Sequence, residues 1–427
     1  MKLLLNPAPI QNLCISVVCV WALMPQLAYS GIARLLSLGA VGVWLLIEAS
    51  RSQGVIRRPT LPLLALFVFA LYTLGFELMT HGVSGIISRI QLYIMLFFLI
   101  VQQSRRNEIY SLNTIFWLVI SLAIVAMTTT YIFMSTVDAR VMRTIVRSSQ
   151  AAQDLIEQGI GGYAMAYGAV LMLPVLTVLS LRPALIDLLG APSILRLFPI
   201  VPKLLIWYLT GLSILLVISS QFATAVMILA ICMVVVFSLW RVSVLRILLA
   251  ILILCVLLFF AEAVLVEVLV YLAPLVEGTN YELKINDLLA SLQSDGAGGT
   301  VGDRVERYSR SLALFIDNPF TGVLYFTDLG KHSTLLDAFA RWGVLIGAIL
   351  LYLVTFLQVR ALRSLSSMRG GAGAALGALI AVVMVFGLNN VFMAAGIIIY
   401  IIYPPVFDAL GQSQFRQQKA DLAVSHA

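Results

Sequence analysis

His332, in Lys331-His332-Ser333-Thr334-Leu335-Leu336, stands where a long polar stretch gives way to an apolar run that carries Gly343. An imidazole can take or give a proton near neutral pH. Proton transfer and an ordinary interfacial histidine are both open readings of it. Upstream, Gly302-Asp303-Arg304-Val305-Glu306-Arg307-Tyr308-Ser309-Arg310 reads as a helix, closed by a turn at Asp317-Asn318-Pro319-Phe320-Thr321-Gly322. Asp303 precedes Arg307 and Glu306 precedes Arg310 by four residues, the favourable order for helix ion pairs. Arg304 has Thr300 and Tyr308 at those spacings and no carboxylate, so it is the arginine most available to an anionic ligand. Asp337 and Arg341 form another i, i+4 pair, for which a structural role is expected.

Arg140, Arg143 and Arg147, at i, i+3 and i+7, would share one helix face. A guanidinium stays charged and donates paired hydrogen bonds, which suits phosphate. Anchoring on lipid headgroups is an equal alternative for this stripe. Arg89 falls one turn into an apolar segment, close enough in the pattern to pair with Glu77 or to snorkel to lipid phosphate. The three histidines, His81, His332 and His426, are far apart, and Cys14, Cys19, Cys232 and Cys255 all fall within apolar stretches. No metal site with ligand spacing and no structural disulfide is expected.

The elements that must position these residues are set by composition. At 61% hydrophobic and 11% charged, the chain departs far from soluble domains, which run at about 45–50% and about 25%. Windows of about twenty residues, the length that crosses a bilayer, place twelve spans near 10–29, 32–49, 61–79, 85–102, 111–135, 160–181, 203–219, 221–240, 245–273, 334–358, 371–389 and 391–411. The expected fold is all-α: a single polytopic membrane domain over 1–427, with a basic outward loop at 136–159 and a large, partly helical outward loop at 274–331. Glu262 and Glu267 lie in the outer half of the ninth segment, which is long enough to protrude. Gly370-Gly371-Ala372-Gly373-Ala374-Ala375 predicts close helix packing.

Cytoplasmic loops are enriched in Lys and Arg, and this orients the chain with both termini cytoplasmic. Sixteen of the 27 basic residues then lie inside. The outward exceptions are Arg34, Arg89, Arg140, Arg143, Arg147, Lys284, Arg304, Arg307, Arg310, Lys331 and Arg341. The net charge of +7 fits anchoring on anionic lipid, but arginines on the far side do not serve that purpose. They point to an anionic ligand outside.

With these residues in place, the chain resembles the bacterial O-antigen polymerase and O-antigen ligase superfamily of integral-membrane glycosyltransferases. The specific part is about residues 300 to 347: Arg304, the aromatic helix, the Asn318-Pro319-x-x-Gly322 turn, His332 and the Leu336 to Gly343 spacing. The resemblance implies a GT-C type fold in the inner membrane, with undecaprenyl-pyrophosphate-linked glycans joined at the periplasmic face. It also implies that His332 acts as base or orients the acceptor hydroxyl, and that Arg304 binds the leaving pyrophosphate. Positive charge placed in advance where negative charge develops is a strong catalytic effect, and arginine could replace the metal that nucleotide-sugar enzymes often use. No cofactor is expected.

Two positions depart from the family pattern. Ser219-Ser220-Gln221 stands where the family often has Ser-Arg, and Ser333 where it frequently has Asn. Gln221 can donate a hydrogen bond but cannot neutralise phosphate. Arg89 or the Arg140, Arg143, Arg147 stripe could take over that task, with Arg307 as a further contact to pyrophosphate or glycan.

The expected function is therefore polymerisation of lipid-linked repeat units into O-antigen or exopolysaccharide. A ligase acting on lipid A core shares the architecture. A transporter or flippase predicts functional charges through the membrane depth and often internal repeats, whereas the charges here gather at the outer side. Expected partners are the lipid-linked glycans, membrane lipids, and a chain-length regulator and flippase of the same pathway; no nucleic acid is expected.

Overall fold

Lipid offers no partner to a bare N–H or C=O, so a spanning segment must close its hydrogen bonds within itself or against other protein. The apolar runs accordingly become helices. The computed structural model describes residues 7–27, 30–106, 109–138, 141–145, 150–192, 195, 197–240, 270–278, 281, 282, 285, 286, 289, 299–323, 329, 330, 333–366 and 368–425, with backbone alone at 109–111, 143, 144, 299–305 and 416–425. No strand occurs among the described residues.

In chain order the helices are α1 (Pro7–Leu23), α2 (Gly31–Ser50), α3 (Leu61–Ser88), α4 (Ile90–Ser104), α5 (Ile109–Thr136), α6 (Val141–Thr144), α7 (Gln150–Glu157) and α8 (Tyr163–Leu181). They continue as α9 (Ala184–Leu188), α10 (Ile200–Ser219), α11 (Ala223–Ser238), α12 (Gly299–Asp317), α13 (Thr334–Leu365), α14 (Gly371–Leu388), α15 (Met393–Ile397) and α16 (Tyr403–Ser425). A π-helical turn at Ile398–Ile402 joins the last two. Eight helical stretches are long and apolar enough to cross a membrane: most or all of α2, α3, α5, α8, α10, α13 and α14, and the stretch Met393–Phe415. The apolar α1, α4 and α11 are shorter. Eight of the twelve expected spans thus coincide with helices of crossing length, three more with these shorter helices, and the ninth, 245–273, lies almost wholly outside the described residues. The chain is an all-α, multi-pass membrane protein.

The centre is α8, 78% of whose apolar stretch is buried against α10, α11 and α14, whereas α2, at 17%, faces outward. The small residues at the start of α14 do permit close approach, because a Cβ at Gly373 would stand 2.8 Å from the Val236 carbonyl oxygen. Gly370, with φ of 74°, donates its N–H to Trp240 at 3.0 Å.

At one end of the bundle, Glu48 accepts from Gln11 Nε2 at 3.0 Å and from the Val55 N–H at 2.9 Å, and Arg105 Nη2 donates to Gln11 at 3.0 Å. Arg182 donates to the Arg369 carbonyl there at 2.8 Å. The opposite end holds the polar loop and the cavities described below.

Two helices break toward that opposite end. The sequence places the third span at 61–79, but α3 runs on to Ser88 through a kink at Gly82, whose φ of 64° is open to glycine. Arg89 consequently sits at the α3–α4 junction rather than inside the fourth span. In α13, Gly343 has φ of 76° and ψ of 178°. An unbroken helix would pair the Val344 N–H with the Ala340 carbonyl. Here the Val344 N–H donates to Pro319 at 2.7 Å, and the Ala340 carbonyl accepts from the Val323 N–H at 3.1 Å. The Asn318-Pro319-x-x-Gly322 turn is thus inserted into the helix ladder.

Gly322, with φ of 69°, and Gly343 allow this approach: a Cβ on Gly322 would collide with the Arg341 carbonyl, and one on Gly343 with the Phe320 carbonyl. Tyr72 of α3 donates to the Thr321 carbonyl at 3.0 Å, and Phe69 meets Trp342 edge-on at 5.4 Å. Gly343→Ala or Gly322→Ala is expected to cost about 1–3 kcal/mol from backbone strain alone and to expose the Val344 and Val323 amides to hydrogen exchange. Gly211→Ala, which would meet nothing within 4 Å, should leave both amides protected.

Candidate functional site: an arginine-walled cavity

Around the opened helix lies a cavity of about 250 Å³, between the α3–α4 junction, the first turns of α13 and the α14–α15 connection. Its polar walls are Ser88, Arg89, Thr334, Asp337, Arg341 and Asn390. Trp342 also lines it, and its buried Nε1 has no hydrogen-bond partner among the described residues. One wall offers cations for an anionic group; the other offers a carboxylate, hydroxyls and an amide, which suit a polyhydroxylated ligand.

The two arginines meet on one carboxylate. Glu77, 1% exposed, accepts from Arg341 Nη1 at 3.1 Å, and Arg89 Nε approaches the same oxygen, Oε1, at 3.4 Å as an ion pair without hydrogen-bond alignment. The other oxygen, Oε2, stands 3.2 Å from His81 Nδ1. Thr80 donates to the Phe76 carbonyl at 2.7 Å, so its oxygen is an acceptor toward His81 Nδ1, 2.6 Å away. Both contacts favour a proton on Nδ1. Burial first, and the Arg341 charge second, draw the Arg89 guanidinium below its ordinary pKa, opposed by Glu77 and Asp337.

In a straight helix Glu77 and Arg89 would be about 18 Å apart along the axis. The Gly82 kink and the turn at the end of α3 bring them together. The i, i+4 pairing expected of Asp337 and Arg341 is replaced: Arg341 goes to Glu77, and Asp337 accepts from Ser311 Oγ of α12 at 2.7 Å. Side chains on the first turn of α13 face different neighbours, and α3 presents a buried carboxylate to one of them.

The flanks of His332 are fixed although His332 itself lies outside the described residues. Before it, the Gly330 N–H donates to Ser311 Oγ at 3.0 Å. After it, Ser333 caps α13 by accepting from the Leu336 N–H at 3.1 Å, and Thr334 Oγ1 donates to Asn389 or Asn390, each at 2.9 Å. Leu329 and Thr334, three residues before and two after it, both line the cavity.

The other expected site residues divide. Arg89 lines the cavity. Arg304 lies within α12, its side chain outside the description. Arg307 is on the same helix and exposed, and Glu306 pairs with Arg310 at 3.1 Å as the spacing predicts. Arg140 and Arg147 lie outside the described residues, and Arg143 falls in the four-residue α6 with backbone alone described.

Gln221 occupies the α10–α11 turn with a left-handed φ of 54°, and it lines neither this cavity nor the chamber beside it. Its neighbour Phe222 packs on Tyr163 and Tyr167. The sequence offered Glu77 as a partner for Arg89, which the structure shows; Arg341 as its second arginine, and Asn390 as a wall, went unread. The signals were an acidic residue near the end of an apolar run and a polar Asn389-Asn390 pair between two others.

Against the arginine cavity lies a larger chamber of about 670 Å³, lined mainly by apolar side chains from α1, α5, α8 and α15, with Arg34 and Gln91 among its few polar ones. Ser88, Asn390 and Phe392 belong to both. Tyr163 governs that shared wall, since its hydroxyl donates to the Asn390 carbonyl at 2.7 Å and accepts from the Asn390 N–H at 3.0 Å. Tyr163→Phe leaves both backbone groups short of a partner, and is expected to cost about 1–3 kcal/mol, read as a lowered melting temperature of the purified protein. No protein-family model matches the chain, and no curated protein is significantly similar to it.

Proposed function

We propose that this protein is an inner-membrane glycosyltransferase of GT-C type, which polymerises undecaprenyl-pyrophosphate-linked oligosaccharide units into a surface polysaccharide at the periplasmic face. The observation that carries this reading is the junction of two unlike cavities. An arginine-walled pocket with hydroxyl-binding groups adjoins a large apolar chamber, the pattern that suits a glycan joined through phosphate to a long hydrocarbon.

In the reaction, a hydroxyl of the acceptor unit attacks the anomeric carbon at the reducing end of the donor chain. The bond from that carbon to the pyrophosphate oxygen breaks, and undecaprenyl pyrophosphate leaves with the bonding electrons. The acceptor proton passes to His332, whose neighbours Leu329 and Thr334 stand at the cavity. Arg304, with Arg89 on the cavity wall, offsets the charge that grows on the leaving group. Asp337, held by Ser311, and Asn390 are suited to orient sugar hydroxyls.

The test is to incubate the purified protein with undecaprenyl-pyrophosphate-linked repeat units from its own host, without nucleotide sugar, and to resolve the products by size. A ladder is expected, lost in His332→Ala and in Arg304→Ala while insertion and expression persist. Arg304→Lys should restore it only in part, because lysine keeps the charge and loses the planar fork. Transfer to lipid A core without a ladder would make the protein a ligase. Absence of both products would overturn the glycosyltransferase reading.

A further inference from the structure

Glu77 does not line the arginine cavity, yet both arginines that do are bound to it. We propose that Glu77 is the positioning residue of this site, holding Arg89 and Arg341 from behind so that their remaining N–H groups converge on a diphosphate in the cavity. The diphosphate assignment rests on the proposed function; the positioning role stands on the geometry.

Three observations favour positioning over a simple tie between helices. A tie between α3 and α13 needs one arginine, but here a second one, from the α3–α4 junction, approaches the same Oε1. Two guanidinium groups this close repel one another, and a shared carboxylate is what lets them remain side by side. Among the described residues neither guanidinium makes another hydrogen bond, so most of the five donors of each are left for the cavity.

The carboxylate is itself confined. Its Oε2 is next to His81, and a Cβ at Gly85 would stand 2.9 Å from that oxygen and 2.7 Å from the His81 Cβ. Glu77 Oε2 is therefore packed close to the Gly85 backbone, where no larger residue fits without a shift. Asp337 is the acidic group among the described residues of the cavity wall; it accepts from Ser311 and adds to the field at Arg89, but Glu77 is the carboxylate in contact with both guanidinium groups.

The experiment uses the full chain in phosphatidylcholine nanodiscs, without divalent metal, and titrates inorganic pyrophosphate by calorimetry. Arg341→Ala should weaken binding about tenfold, the size of one charge-assisted hydrogen bond. Glu77→Gln should weaken it by a similar factor even though it makes the site more positive, and Glu77→Asp should recover part of the loss. In an Arg341→Ala background, Glu77→Gln should cost much less than it does alone, because its effect runs through the arginines.

Unchanged or tighter binding in Glu77→Gln would show a mere counter-charge and overturn the proposal, as would equal losses in both backgrounds or no binding by the unaltered protein. If Glu77→Gln does not fold, Gly85→Ala decides, since it displaces the carboxylate without changing any charge and should weaken pyrophosphate in the same way. Adding phosphatidylglycerol to the discs should leave pyrophosphate affinity unchanged; strong competition would mean that a lipid headgroup, not a diphosphate, is the ligand. Glu77-dependent binding with no polysaccharide ladder would retain the positioning role and remove the polymerase reading, and a ladder with Glu77-independent binding would do the reverse.

Discussion

A backbone N–H or C=O that leaves its helix inside a membrane must find another protein partner, since lipid supplies none. The break at Gly343 frees one of each, on Val344 and Ala340, and residues Pro319 and Val323 of the polar loop take them up. This exchange fixes much else. It carries the loop down to the level of Tyr72 on α3, sets α12 against α13, and leaves the first turns of α13 tilted away from the rest of the helix, with Thr334, Asp337 and Arg341 on the cavity wall. Gly322 and Gly343 stand where the two backbones meet because no side chain fits between them.

The second break, at Gly82, does for charge what the first does for hydrogen bonds. A carboxylate as buried as Glu77 is costly without partners. The bent end of α3 returns Arg89 to it, and α13 adds Arg341. Each kink alone would leave a group unsatisfied. Together they place two cations, a carboxylate and several hydroxyl-binding groups around one space, beside an apolar chamber that could hold hydrocarbon. At the other end of the bundle Gln11 links Glu48 to Arg105 by hydrogen bonds.

Much of this was legible in the residues. The apolar windows located the helices to within a few residues at α8, α10, α13 and α14, because span length and hydrophobicity are properties of each segment on its own. The minority of arginines expected outside pointed to the loop end, where Arg89 lines the cavity. The small residues of α14 packed closely, as their sizes require. The third span was drawn too short, because hydropathy falls around His81-Gly82 while the helix continues through the kink. Arg341 was assigned to Asp337 by helical spacing, the nearest partner a local rule can offer.

What the sequence determined by itself was the class of solvent, the positions of most long apolar helices, and the kinds of side chain available at each end. These follow from sums over neighbouring residues. Which of those side chains face one another was decided by tertiary structure. Arg341 reaches a carboxylate 264 residues away, Tyr72 a carbonyl 249 away and Tyr163 an amide 227 away. No periodicity within a helix encodes such partners. They are selected when kinked helices and an inserted loop pack so that these buried polar groups meet partners from distant segments, and that condition exists only in the assembled bundle.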